Sequence, residues 1–161
     1  MKISAQAHYE GSISATREAL LSKELAAKRA AALHVGAPEF IDRTTPGSDE
    51  VKREIRIMLP SSTLPPKVSK FLAKGLSATI YLAGRGDQVL HSVDVAAMPV
   101  SLELAITLRP DPSNPEHTIG DFAGNLEVRV PFIGSKIEKE AAEQVEKFVA
   151  RDTAVVNSLL A

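Results

Sequence analysis

Alternating apolar and polar residues predict that most of this chain forms β-strands. Near the N-terminus, Ile3, Ala5, Ala7 and Tyr9 share one parity, and polar side chains fill most of the other. A period of two is typical of a strand with one buried face. Six more segments of this kind follow, at about residues 39–45, 51–59, 78–82, 89–95, 102–108 and 118–130. We therefore expect an antiparallel sheet of about six or seven strands.

Two helices are predicted after the first strand and a longer one at the end of the chain. Ser14 is the expected N-cap of a short helix, and an Ala-rich helix runs from about Ser22 to His34, before Gly36. A long amphipathic helix follows Pro131, because apolar residues recur there at spacings of three and four. Its apolar positions are Ile133, Ile137, Ala141, Val145, Phe148, Val149, Val155, Val156, Leu159 and Leu160.

A further short helix is predicted between the third and fourth strands, at about residues 65–74. Val68, Phe71 and Leu72 form its apolar side, and three lysines lie beside them. A basic amphipathic helix of this kind can dock on the sheet, act as the portal of a cavity, or make transient contact with an anionic membrane surface. Three lysines are too few for stable membrane attachment, so no stable membrane insertion is expected.

The elements follow the order β-α-α-β-β-(short α)-β-β-β-β-α, which predicts an α+β fold. The expected arrangement is a curved antiparallel sheet with the long C-terminal helix packed across it. The 161-residue chain shows no internal repeat and no linker, so residues 1–161 are expected to form one domain.

Residues 109–116 contain three prolines and are predicted to form a long loop before the last strand. Asp111, Glu116, His117 and Asp121 cluster around this segment, but charged residues are common beside a Pro-rich turn. No two of the four histidines have the linear spacing of metal ligands, and the chain has no Cys. We therefore expect no metal site and no cofactor.

Charge and composition make several functions improbable. Lys and Arg total 19 against 20 Asp and Glu, so no net field attracts nucleic acid. The lack of Cys excludes disulfides and thiol chemistry. The N-terminus has no apolar stretch typical of a signal peptide, and no apolar run is long enough to span a bilayer, so the expected location is cytoplasmic.

Two motifs add a family resemblance to this order of elements. Residues 64–66 (Leu-Pro-Pro) follow the predicted hairpin, and residues 130–139 (Val-Pro-Phe-Ile-Gly-Ser-Lys-Ile-Glu-Lys) lead into the last helix. The chain resembles the START-like or Bet v 1-like superfamily (SRPBCC, helix-grip proteins) and, within it, an uncharacterised actinobacterial family, domain of unknown function 2505. The resemblance implies binding of lipids, sterols, polyketides or other apolar molecules between sheet and helix. A minority of the superfamily are cyclases or hydrolases.

A cavity of this kind needs inward-facing apolar side chains. With five Phe, two Tyr and no Trp in the chain, mainly aliphatic walls favour an open space between a curved sheet and a straight helix. The alternative is that the same side chains pack against one another. The candidate lining residues are Ile57, Leu59, Ile80, Leu82, Val93, Leu104, Ile106, Val128, Ile137, Ala141, Val145 and Phe148.

Two polar residues, Arg53 and His91, share the parity of inward positions and are candidate anchors for a ligand's polar group. Alternatively, Arg53 extends to water and His91 is a packed or partly exposed residue. No Ser lies in a G-x-S-x-G turn, and no other catalytic motif is present. The sequence therefore favours binding or carriage of a small hydrophobic or amphipathic molecule. The alternatives are a cyclase- or hydrolase-type enzyme and a ligand-free protein-interaction module.

Overall fold

A seven-stranded antiparallel sheet forms the frame of the protein. The structure is a computed structural model that describes residues 1–63, 75–96 and 98–161. The spatial order of the strands is β1-β7-β6-β5-β4-β3-β2, so the first strand pairs with the last and the others follow as a meander. The strands are β1 (Lys2–Tyr9), β2 (Glu39–Asp42), β3 (Val51–Leu59), β4 (Leu76–Arg85), β5 (Gln88–Val95), β6 (Val100–Asp111) and β7 (Asn114–Val128).

The helices of the described ranges are α1 (Ile13–Leu20), α2 (Lys23–Ala32) and α3 (Gly134–Leu160), and a short 3-10 turn, Ser61–Thr63, follows β3. None of these helices is long and apolar enough to cross a membrane. The predicted short helix at residues 65–74 lies outside the described residues. The expected α+β helix-grip architecture, with a curved sheet and a long C-terminal helix, is confirmed.

Serine caps define where the first two helices begin. Ser12 Oγ accepts a hydrogen bond from the backbone N–H of Ala15 at 3.1 Å, and Ser22 Oγ does the same for Leu25 at 3.1 Å. The prediction of Ser14 as the first cap was wrong, because Ser12 already satisfies an N–H group at the start of α1.

The strand register separates an inner face, covered by the helices, from an outer face. Paired residues on the inner face form rows that cross the strands, and they are apolar or small, whereas the neighbouring positions of each strand point outward. One such row, from β1 to β3, consists of Ala5, Phe122, Ile106, Val89, Gly84 and Val51.

The hydrophobic core lies between this inner face and the three helices. Leu20 of α1, Leu25 of α2 and Val156 of α3 are almost fully buried, together with Ile106 and Leu108 of β6. Burial of each such side chain contributes about 1.5–3 kcal/mol, so the three helices are held on the sheet mainly by this apolar contact.

Helix α3 runs alongside β1 and packs on β1, β7, α1 and α2. Near its start, the Glu138 carboxylate lies 3.7 Å from the N-terminal ammonium of Met1. Near its end, the Asn157 side chain accepts from the backbone N–H of Glu10 at 2.9 Å and donates to the carbonyl of His8 at 3.2 Å. Contacts at both ends of β1 therefore hold the helix over one side of the sheet.

The Pro-rich segment at residues 109–116 is a tight hairpin, so the predicted long loop was wrong. Pro110 lies in β6 and Pro115 in β7, and Asp111 pairs with Asn114 across the turn. The register shifts between Pro110 and Asp111. Because proline has no N–H group, such an irregularity is a position where a strand tolerates it.

Replacing the buried Leu25 with Ala should lower the free energy of unfolding by about 2–5 kcal/mol, because the deletion leaves a cavity in the core. The matched control is Leu33→Ala at the exposed end of α2, which should cost less than about 1 kcal/mol. Urea unfolding of the two variants and the wild type measures both effects. Equal losses would contradict the described packing of α2.

Candidate ligand-binding site

The predicted lining residues divide into three groups by burial. Leu82, Ile106 and Val128 are buried, so they belong to the packed interior. Ile137 and Phe148 of α3 remain 38% and 63% exposed. The other candidates are half-buried, namely Ile57, Leu59, Ile80, Val93, Leu104, Ala141 and Val145. The inner face is therefore sealed at one end and only partly covered over the rest.

The half-buried residues of the sheet form one continuous apolar surface. Ile80 of β4 is paired with Val93 of β5, and Leu104 of β6 is paired with His91. Ile57 is paired with Ala78 on the same face. These positions extend across four adjacent strands of the inner face.

Two apolar side chains of α3, Ile137 and Phe148, remain exposed on the side of the helix away from its contact with β1. Phe148 precedes Asn157 by nine residues, which is about 900° of helical rotation and places the two on opposite sides of α3. Asn157 contacts β1 at the edge of the sheet, so Phe148 lies on the side of α3 turned away from that contact. Ile137 is eleven residues before Phe148 and lies on nearly the same side. We refer to the half-buried apolar surface formed by Ile57, Ile80, Val93 and Leu104 as the inner cleft.

An ion pair between α2 and α3 lies at the sealed end of the inner face. Arg29 donates from Nε and Nη2 to the two carboxylate oxygens of Asp152, both at 2.7 Å. Both side chains are largely buried, at 27% and 11% exposure. The paired geometry balances the two charges, so the interior has a polar region without net charge.

Tyr9 of β1 lies fully buried beside this ion pair. Its ring covers Gly120 of β7, where a Cβ atom would come within 2.7 Å of Tyr9 Cε2. Burial raises the pKa of the Tyr9 hydroxyl, and the negative charge of Asp152 adds to the rise, whereas Arg29 opposes it. The hydroxyl is therefore neutral and able to donate a hydrogen bond at physiological pH.

His91 of β5 is neutral for a related reason. Burial, and then the positive charge of Arg29, lowers the pKa of His91 to about 4, while Asp152 and the backbone of Val89 act in the opposite direction. The residue as a whole is half-buried, but its Nδ1 atom is closed off from solvent.

The Tyr9 hydroxyl and His91 Nδ1 are buried polar atoms that have no hydrogen-bond partner within the described ranges. Leaving such an atom unpaired costs about 1–3 kcal/mol, so folded proteins rarely do so without a water, an ion or a ligand. Arg17 Nε of α1 is also buried without a hydrogen-bond partner among the described residues, although Arg17 Nη2 donates to the carbonyl of Gly84 at 3.2 Å. The interior is consequently not wholly aliphatic and can bind a polar group.

The other predicted anchor, Arg53, is already engaged. Its Nη1 donates to Asp42 Oδ1 at 2.6 Å and to Thr44 Oγ1 at 2.8 Å, and its guanidinium lies 5.8 Å from the centre of the Phe40 ring. This arrangement holds β2 against β3 and leaves the cation less available to a ligand. The predicted portal residues Val68, Phe71 and Leu72 lie outside the described residues.

An open groove of about 720 Å³ lies on the outer face of the sheet, across β3 to β7. Its walls combine apolar residues such as Tyr81 and Leu90 with charged residues such as Arg85 and Glu103. Since it is open to solvent and has charged walls, it suits an apolar ligand less well than the inner cleft.

Sequence reasoning identified His91 but missed Tyr9, Arg29 and Asp152 as polar residues of the interior. Tyr9 shares the inward parity of β1, which was a usable signal. No pattern joins Arg29 to Asp152, because they are 123 residues apart and meet only when α2 and α3 pack together.

The geometry defines a helix-grip fold, and solved structures show the same fold. A START superfamily protein from Mycobacterium smegmatis is similar over 99% of this chain and 96% of its own, with 12% identity and a TM-score of 0.61. TTHA0849 from Thermus thermophilus is similar over 99% and 97%, with 10% identity and a TM-score of 0.63. Dicamba monooxygenase bound to 3,6-dichlorosalicylic acid has 15% identity and a TM-score of 0.60 over 99% of this chain. This chain spans only 49% of the oxygenase chain.

The chain belongs to the family described as "Protein of unknown function (DUF2505)", which its residues 4–160 match. No curated protein matches it. The resemblance inferred from the sequence is therefore confirmed at the level of family and fold. At such low identities the solved structures establish the fold alone.

Lowering the pH should destabilise the wild type more than His91→Gln. In the unfolded chain His91 titrates near pH 6.5, and in the folded protein near 4, so between these values the unfolded state binds more protons and stability falls as the pH falls. From pH 7 to 4.5 this difference amounts to about 2 kcal/mol.

Chemical unfolding of the wild type and of His91→Gln at pH 7 and at pH 4.5 measures this difference in stability. The exposed loop histidine offers a matched control, since His34→Asn should keep the pH dependence of the wild type. An identical pH dependence in His91→Gln and the wild type would show that His91 is not shielded as described.

Proposed function

We propose that this protein binds a small apolar or amphipathic molecule in the inner cleft. The single observation that carries the proposal is the half-covered apolar surface of the inner face, in an interior where two buried polar atoms, Tyr9 OH and His91 Nδ1, have no partner among the described residues. The apolar part of the ligand would lie on Ile80, Val93 and Leu104. An oxygen-bearing group such as a hydroxyl or carboxyl would bond to Tyr9 and His91.

Removal of apolar surface from water would supply most of the binding energy. Each Å² of buried apolar surface contributes about 25 cal/mol, so a ligand that covers about 200 Å² gains about 5 kcal/mol before the costs of association. Half-buried residues such as Leu104 and Ile57 still have surface to lose, whereas the fully packed Leu82 and Ile106 do not.

The polar atoms would add selectivity to this apolar binding. An alkyl chain without a polar group would leave Tyr9 OH and His91 Nδ1 unpaired, whereas a hydroxyl group can donate to or accept from either atom. The neighbouring Arg29 and Asp152 are already paired with each other, so neither charge needs a charged ligand to balance it.

Catalysis on a similar substrate is a second candidate, because a Tyr and a His with shifted pKa values lie in one interior. The directions of both shifts favour binding instead. A general acid or base works best with a pKa near the operating pH. The raised pKa of Tyr9 keeps it protonated, and a His91 pKa of about 4 makes it a weak base.

Filling the inner cleft should prevent ligand binding without unfolding the protein. Leu104→Trp places a larger side chain on the inner face and should weaken binding of a fluorescent fatty-acid probe at least about tenfold. The matched control is Glu103→Trp, since the neighbouring residue is exposed on the outer face of the same strand. It should bind like the wild type.

Probe titration of the two variants and the wild type measures the effect, and native mass spectrometry after incubation with a lipid extract provides an independent readout. Circular dichroism verifies that both variants fold. If the wild type binds nothing in either assay, or if the two variants lose affinity equally, the proposed function is wrong.

A further inference from the structure

Two histidines and an aspartate meet on the outer face of the sheet, at the β6–β7 hairpin. His8 Nε2 lies 2.6 Å from Asp111 Oδ2 and 3.3 Å from His117 Nδ1. One ligand atom from each residue lies within 4.8 Å of the other two. We refer to these three residues as the His-Asp-His cluster.

Strand pairing brings the cluster together across 109 residues of sequence. His8 is opposite Ile119 in the β1–β7 register, and His117 is two residues before Ile119, so both histidines point outward on adjacent strands. The register shift after Pro110 then directs Asp111 toward them. Bulges of this kind often turn a side chain toward a site.

The Asp111 carboxylate is held in an orientation suitable for a ligand. Its Oδ1 accepts hydrogen bonds from the backbone N–H of Ser113 at 2.9 Å and from the Ser113 hydroxyl at 2.8 Å, which leaves Oδ2 directed at His8. The Ser113 backbone N–H, then the Ser113 hydroxyl and His8, hold the pKa of the Asp111 carboxyl below its usual value. Metal-binding carboxylates are commonly oriented by a second set of hydrogen bonds in this way.

The cluster has more acceptors than protons when both histidines are neutral. A neutral imidazole nitrogen carries either a proton or a lone pair, so His8 Nε2 cannot donate fully to both Asp111 and His117. If His117 Nδ1 donates to His8 instead, two lone pairs face each other across the 2.6 Å contact between His8 and Asp111. A cation would satisfy all three atoms at once.

We propose that the His-Asp-His cluster binds a divalent transition-metal ion of the Zn²⁺ type. Two nitrogens on one tetrahedral Zn²⁺, each about 2.0–2.1 Å from the metal, lie about 3.3 Å apart. His8 Nε2 and His117 Nδ1 have that separation, 3.3 Å. The ion would replace the hydrogen bond between His8 and Asp111, and those two atoms would move apart to make room for it.

The donor set favours Zn²⁺, Co²⁺, Ni²⁺ or Cu²⁺ over Ca²⁺ or Mg²⁺, because two of the three ligands are imidazoles. Three protein ligands leave a coordination position open to water or to an exogenous ligand. The His8 side chain is 52% exposed, so an ion can reach the site from solvent. The nearby Arg109 guanidinium is paired with Asp121 at 2.7 Å, which balances its charge.

The proposed metal site is independent of the inner cleft. Tyr9, the next residue after His8, points to the opposite face of the sheet. The site also departs from the sequence-based expectation of no metal, which considered only linear spacing and not the contact between β1 and β7.

Isothermal titration of the untagged full chain with ZnCl₂, after removal of metals with EDTA, tests the proposal. We expect one Zn²⁺ per chain with a Kd of about 10 μM or tighter, and at least about tenfold weaker binding in His8→Ala and His117→Ala. The control His34→Asn should bind like the wild type, since His34 lies in a separate loop. Co²⁺ should give a visible absorption spectrum in the wild type that is lost in both Ala variants.

Circular dichroism in metal-free buffer verifies that each variant folds, and Asp111→Asn, which keeps the size of the side chain, replaces any variant that does not. The proposal is overturned if the wild type binds no Zn²⁺ up to about 1 mM, or if binding is unchanged in both His8→Ala and His117→Ala. Binding of a fatty-acid probe should be the same with and without Zn²⁺, so either site can fail independently of the other.

Discussion

The antiparallel pairing of β1 with β7 is the constraint on which the rest of the structure depends. It joins the first strand to the last one, and α3 lies along the resulting edge through contacts near Met1 and His8. The alternation of a strand then sends neighbouring residues to opposite faces. Tyr9 enters the interior beside Arg29 and Asp152, while His8 joins Asp111 outside. One pairing therefore places Tyr9 in the interior and assembles the His-Asp-His cluster outside it.

The interior combines a large apolar surface with a small polar region, and this combination distinguishes it from an ordinary packed core. Leu20, Leu25 and Val156 hold the helices on the sealed end. Beyond them the inner face is only half covered, and two polar atoms remain without a partner among the described residues. In a packed core the whole inner face would be covered and each buried polar atom would have a partner. Uncovered apolar surface and unpaired buried polar atoms both lower the stability of a fold.

Periodicity was sufficient to predict the strands, their inward faces and α3, because these depend on the local alternation of apolar residues. Ile80, Leu104 and Ile106 therefore lie on the predicted face. Periodicity could not separate the packed Ile106 from the half-buried Leu104, since both have the same parity and differ only in what lies above them.

Contacts between distant parts of the chain also could not be predicted from the sequence. The prolines of residues 109–116 indicated a loop, but the long ladder between β6 and β7 continues through them to a tight turn. Likewise, linear spacing could not show that His8 lies beside His117, because that contact depends on the register of the whole β1–β7 pair.

We propose that the inner cleft binds the apolar part of a ligand while Tyr9 and His91 bind its polar group. Displacement of an apolar fluorescent probe by decanol and by chlorodecane, in the wild type and in Tyr9→Phe, tests it most directly. The substitution removes only a hydroxyl that has no partner within the described residues. It should weaken decanol binding by about 3- to 10-fold and leave chlorodecane binding unchanged. Equal effects on both molecules, or no effect on either, would show that the Tyr9 hydroxyl does not bind the polar group of the ligand.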